Sequence, residues 1–163
     1  RLTGVNVSVG TATDEDVLVY ILDEEERSTF RDALASTDNA DRYQIIDEWT
    51  QDIYYPCVAL VGYASKDRGL ISSGIIVIKA ELEGVMRESC IHEELTQVMG
   101  LMNDHPEVRP SIFNDDEEFA LLTKHDELLL RILYDERLRP AMTLDEARPL
   151  IPKIVQDVHG PNG

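Results

Sequence analysis

The chain has 163 residues, 43% hydrophobic and 29% charged, a globular balance with enough length for one domain and a sizeable core. Asp plus Glu number 32 against 15 Lys plus Arg, a net charge of −17. That balance argues against a nucleic-acid or anionic-membrane partner, because binding phosphates needs clustered cations, and no apolar run approaches the ~20 residues of a membrane-spanning helix.

Residues 5–9 (Val-Asn-Val-Ser-Val) alternate and are β-branched, the pattern of a strand. Residues 10–14 read as a turn. Residues 17–22 form a continuous apolar run of high β-propensity, which predicts a buried strand. The next segment, 23–35, turns helical with sparse apolar positions at Phe30, Ala33 and Leu34, and 36–41 is a polar loop. Residues 42–53 are ambiguous, with Ile45, Ile46 and Trp49 at helical spacing. Strands over 58–63 and 70–78, joined by a turn at 65–69, predict a hairpin.

The main helix is expected over 82–101, with Met86, Cys90, Leu95, Val98, Met99 and Leu101 as its apolar side. Gly100 falls at its C-terminal end, where a glycine can take positive φ and turn the chain. A loop follows over 102–116. Thr123 and Asp126 form an acidic capping box that opens a helix to 135. Thr143 and Glu146 form a second box, opening a helix toward 158 that Pro149 and Pro152 break or delay. The tail 159–163 is expected to be loose. The chain begins at Arg1 with no visible signal peptide, as expected of a processed product or a fragment.

Two cysteines, Cys57 and Cys90, leave two readings open. They form a disulfide and imply an oxidising compartment, or they are two buried thiols.

Residues 93–104 carry the chemistry. Their spacing is that of the long zinc signature H-E-x-x-H-x-x-G-x-x-H-D, with Glu93, Gln97 and Asn103 at the three histidine positions. Glu94, Gly100 and Asp104 keep the remaining characters. On a helix Glu93 and Gln97 share a face, and Glu94 lies beside them, where a general base could reach a metal-bound water. The donors are oxygens, however, and zinc prefers imidazole nitrogen and thiolate. Such a set suits Ca2+ or Mg2+ better. His92 sits about 100° around the helix from Glu93; with His105 and His125 it reads as a surface or supporting histidine. The acidic run Asn114, Asp115, Asp116 and Glu117 lacks the order of a calcium loop and reads as solvated. No nucleophile elbow or phosphate-binding glycine loop is present.

These residues resemble those of the metzincin peptidases. Ser111, Ile112 and Phe113 resemble the Ser-x-Met segment that turns beneath the zinc in that family, with Phe113 in place of Met. The stretch from Leu122 and Thr123 through Asp126 to Leu133 and Tyr134 resembles the matrixin helix that begins L-[ST]-x-x-D and ends Leu-Tyr-Gly, with Asp135 in place of Gly. The chain is closer still to a family of bacterial exported proteins, several of them predicted lipoproteins, in which the Glu-Glu-x-x-Gln form is usual. That resemblance runs from Arg1 to Pro149.

The resemblance implies an α/β metzincin-like fold: a small twisted mixed sheet, the motif helix, then C-terminal helices. Residues 1–163 would form a single domain, with an N-terminal strand and helix missing. It also implies a place outside the cytoplasm: secreted, periplasmic or lipid-anchored. The first functional reading is a domain that has lost zinc peptidase activity and serves a binding or structural role, with a protein or peptide partner, no tightly held cofactor, and Asp104 and Asp126 as helix caps. The alternative is a metallopeptidase holding zinc or another divalent cation on Glu93, Gln97, Asn103 and Asp104, with Glu94 as general base.

Overall fold

The computed structural model describes residues 2–10, 16–36, 40–64, 69–114 and 119–160. Its centre is a mixed sheet of β1 (Val17–Leu22), β2 (Cys57–Tyr63) and β3 (Ile71–Lys79) in the order β1-β3-β2. β1 runs parallel to β3 and β2 antiparallel to it, so the expected β2–β3 pairing is present. β3 takes the middle because Ile76, Val77 and Ile78 are apolar on both faces of the pleat, and all three are fully buried.

Successive side chains point to opposite sides of a strand, so the sheet builds two cores. On one side, Leu60 and Val77 pack with Ile46 and Trp49 of α2 (Ala40–Gln51), and Phe30 and Leu34 of α1 (Glu24–Ala35) join them. On the other side, Cys57, Ile76 and Ile78 pack with Cys90 and Val98 of α3 (Val85–Val98). Three short helices follow: α4 (Lys124–Leu133), α5 (Leu144–Ala147) and α6 (Ile151–His159), with α4 packed on α6.

The helix ends follow their caps. Asp23 and Glu26 exchange side-chain-to-backbone bonds and start α1. Thr123 and Asp126 do the same for α4, and Thr143 and Glu146 for α5. α5 stops after one turn before Pro149, and α6 restarts with Pro152 in its first turn, where no backbone donor is needed. The ambiguous run is helical because Ile46 and Trp49, three apart, both reach the sheet while Ile45 stays exposed.

Several expectations are corrected. Residues 5–9 form no strand, and Val7 and Val9 are 84% and 103% exposed. Alternation makes a segment compatible with a sheet, but a strand needs a neighbour to take its backbone bonds. β1 is an edge strand rather than a buried one; Val19 and Ile21 are exposed because α3 crosses β2 and β3. The motif helix starts at Val85 rather than 82, since Gly84 takes φ 56 before it, and it ends at Val98. Its buried side agrees with the expected one at Cys90 and Val98 but not at Met86 and Leu95, which are exposed, and it includes Glu94 and Thr96. His159 closes α6 instead of opening a loose tail. The turns expected at 11–14 and 65–68 lie outside the described residues.

Cys57 and Cys90 are joined in a disulfide across 33 positions. Closing a loop of that length removes denatured-state entropy worth about 3 to 4 kcal/mol. Reduction, or Cys57→Ser with Cys90→Ser, is expected to lower the unfolding free energy by that amount. A denaturant midpoint that does not move under reductant would contradict this.

Candidate functional site

The disulfide sets the rotation of α3 about its axis. Positions 90, 94 and 98 lie one above another on a helix, and Cys90 is bonded to the first residue of β2. At the other end Val98 meets β3 where Gly74 has no side chain; a Cβ there would stand 2.7 Å from a Val98 methyl. Glu94, held between these two contacts, therefore faces the sheet. It is only 3% exposed, and its carboxyl meets the backbone of Ala59 on β2. Its Oε2 is buried with no hydrogen-bond partner among the described residues.

Burial is the main force on this carboxyl, and the neighbouring charge of Glu93 adds to it. Together with the more distant Asp104 they push its pKa up to about 8, against the opposing contact with Ala59. At neutral pH Glu94 is mostly a protonated acid, which donates a proton rather than accepting one.

Glu93 and Gln97 lie half-buried, one turn apart on α3. Gly100, at φ 117, then reverses the chain. The N–H of Gly100 donates to the Gln97 carbonyl at 2.8 Å and that of Leu101 to Thr96 at 3.2 Å, the paired bonds of a glycine-terminated helix. A side chain at Gly100 would also press on Leu133, with 3.0 Å between the new Cβ and a Leu133 methyl. The Tyr134 hydroxyl donates to the Met99 carbonyl at 3.0 Å. The Leu-Tyr block thus seats on the end of the motif helix. Beyond the turn, Asn103 and Asp104 are exposed in a loop. Asp104 caps no helix among the described residues, because 101–114 contains none. Asn103 instead lines a pocket of about 220 Å³ with Gly100, Met102, Phe113 and Leu129.

The Ser111-Ile112-Phe113 turn is buried at Ser111 and Phe113 and pinned by one side chain. Asp126, with no exposed surface, accepts from the Ser111 hydroxyl at 2.5 Å, the Ile112 N–H at 3.2 Å and the Thr123 N–H at 2.8 Å. The Thr123 hydroxyl lies 2.8 Å from the Pro110 carbonyl and 2.9 Å from Asp126, its single proton serving one of them. Asp126 therefore caps α4, as expected, and also anchors a turn fifteen residues earlier.

Two of the histidines, His92 and His105, act as supports. His92 Nδ1 accepts the Leu122 N–H at 3.2 Å, tying α3 to the start of α4. His105 Nδ1 accepts from Glu107 N–H at 3.1 Å, and His105 N–H donates to Phe113 at 2.8 Å. His125 Nδ1 is buried with no hydrogen-bond partner among the described residues. Asn114 is buried and its amide donates to the Pro106 and Val108 carbonyls, at 2.9 and 3.1 Å. The remaining acidic positions 115–117 lie outside the described residues.

The donor set offers zinc only carboxylate and amide oxygens, where zinc prefers imidazole nitrogen and thiolate. Glu93 and Gln97 are on the helix, Asn103 and Asp104 are out in the loop, and Glu94 is turned inward. Among the described residues no group of three or more His, Cys, Asp or Glu side chains is arranged to hold a metal ion.

A family profile covers residues 1–153. The chain belongs to DUF2927, described as a protein family of unknown function. Neither curated proteins nor solved structures gave a match. The DUF2927 profile spans every element from β1 to the start of α6, so it includes the motif helix, the pinned turn and α4.

Two features of the site carried no sequence signal. One is the Ala59 backbone contact, made by a position with no distinguishing side chain. The other is Tyr63, whose hydroxyl lies 3.5 Å from Met102 Sδ and links the end of β2 to the loop after Gly100. A further link, Cys90 with Glu94 at i+4, was available in the spacing.

Proposed function

We propose that this chain is a metzincin-like domain, spanning residues 1–163, that no longer performs zinc peptidase chemistry and serves a binding or structural role outside the cytoplasm. The observation that carries the reading is the placement of Glu94. A general base must be ionised and must reach the reacting water. Glu94 is buried under β2, pushed toward its neutral form, and held there by a covalent bond one turn away. The resemblance itself is supported by contact in space between its separate blocks. Gly100 meets Leu133, Met99 meets Tyr134, and Ser111 meets Asp126. Location is supported by the Cys57–Cys90 bond, which persists only in a non-reducing environment. No helix among the described residues is long and apolar enough to cross a membrane.

The test is metal content with peptidase assay. Protein purified without chelator is expected to hold well under one zinc per chain and to leave unstructured peptides uncut. A second reading, a hydrolase using Glu94 with an altered ligand set, is favoured by the buried Oε2, which has no partner among the described residues. It requires cleavage that disappears both with Glu94→Gln and with chelation. Such cleavage would replace the first reading.

A further inference from the structure

A second cavity lies away from the motif. It is an open groove of about 890 Å³ between the end of α2 and the start of β2. β2 runs from Cys57 at this groove to Tyr63 at the loop after Gly100, so the two sites lie at opposite ends of one strand.

Three consecutive large side chains stand out at the groove: Ile53, Tyr54 and Tyr55 are 83%, 85% and 64% exposed. Exposed apolar side chains scattered singly are ordinary, but a contiguous run bordering a cavity marks a contact surface. Beside them stand the carboxylates of Asp47, Glu48 and Asp52, and among the described residues lining the groove there is no cation. Glu48 accepts from the Gln44 amide and Asp52 from the Tyr54 N–H. Asp47 has Arg31 at 3.8 Å, but that guanidinium is engaged by Asp32 at 2.7 Å. The three carboxylates are therefore fixed in position, with partial compensation of Asp47 by Arg31 and of Asp52 by Lys79.

The groove is also built in advance. Lys79 reaches beneath it, donating to the Asp52 carbonyl with its ammonium 5.6 Å from the Trp49 ring centre. The Asp52–Tyr54 bond fixes the loop at 2.7 Å. Trp49 lines the cavity, is 3% exposed, and has an indole N–H with no acceptor among the described residues. A buried donor left unpaired is costly and is satisfied when a ligand supplies a carbonyl.

We propose that this groove binds a lysine- or arginine-bearing polypeptide segment of a partner protein. The aromatic pair offers faces for cation–π contact, the carboxylates supply the opposite charge, and the Trp49 indole N–H donates to a backbone carbonyl of the bound segment. This surface is independent of the motif site and holds whether or not the chain has peptidase activity.

The test uses the whole chain and a synthetic decapeptide of alternating Lys and Ala. Trp49 is the only tryptophan, so its indole N–H resonance reports groove occupancy alone. The peptide is expected to shift that resonance saturably. Tyr54→Ala with Tyr55→Ala, both at exposed positions, is expected to raise Kd about tenfold. Glu48→Gln with Asp52→Asn is expected to raise it about fivefold and flatten its salt dependence. Glu24→Gln with Glu25→Gln removes the same charge from α1 and should change Kd by less than about twofold. Equal weakening by the α1 pair would reveal diffuse attraction to an acidic protein and overturn the assignment. An unmoved Trp49 resonance would overturn it as well. So would a shift given by neutral chitotetraose and not by the peptide.

Discussion

Glu94→Gln is expected to make the protein more stable at pH 8 and to leave it little changed near pH 4.5. The ordinary pKa of a glutamate is 4.5, and in the folded chain Glu94 is raised to about 8. Below pH 4.5 the carboxyl is protonated in both states and contributes nothing to the balance. As pH rises from 4.5 the unfolded chain releases the proton while the folded chain keeps it, so stability falls. The fall ends near pH 8, where the folded form also ionises. Over that window the group costs on the order of 4 kcal/mol. Glutamine keeps the shape and cannot ionise, so the difference between the two unfolding curves isolates this one group from the other carboxylates. Denaturant titrations at pH 5, 6, 7 and 8 are expected to show the two proteins diverging steadily. Parallel curves would mean that the carboxyl is hydrated and free to act as a base at neutral pH, and the proposed loss of activity would have lost its main support.

The second large effect is expected at Asp126. Replacing it with alanine leaves the Ser111 hydroxyl and the N–H groups of Ile112 and Thr123 without their acceptor, in a place with no exposed surface. Each buried donor left unpaired costs about 1–3 kcal/mol, and the donors share one acceptor group, so the total should be about 3–5 kcal/mol. Ser111→Ala removes one of these bonds together with its donor and should cost about 1 kcal/mol. Urea midpoints with an unchanged slope would record both. A loss at Asp126→Ala no larger than that at Ser111→Ala would show that the turn does not depend on the carboxylate, and with it would go the physical link between the two blocks.

These effects fall where the sequence was partly readable. The strands were visible as apolar, β-rich runs over 17–22, 58–63 and 70–78, and two capping boxes announced α4 and α5 through residue pairs that exchange backbone bonds, while the Asp23–Glu26 box of α1 was not read. The reversal at Gly100 was also legible, since positive φ after a helix is a glycine's place. Sheet membership was not. Residues 5–9, which alternate, and 17–22, a continuous apolar run, both carry β-propensity, yet only the second finds a neighbour, because pairing depends on residues 50 or more positions away. The orientation of α3 was only partly readable. Cys90 and Val98 of the expected apolar side lie one turn either side of Glu94, and the bond at Cys90 and the gap at Gly74 turn that stripe toward the sheet, whereas the expected Met86 and Leu95 stay exposed. Covalent and steric geometry chose between faces that periodicity left mixed.

The cystine between β2 and α3 also has a consequence for how variants of this chain are studied. It makes the angular setting of the helix a covalent property of the oxidised molecule. Libraries screened in a thiol-rich cytosol would sample an untethered helix, and a phenotype scored there for positions 93–97 would describe a different presentation of the same side chains.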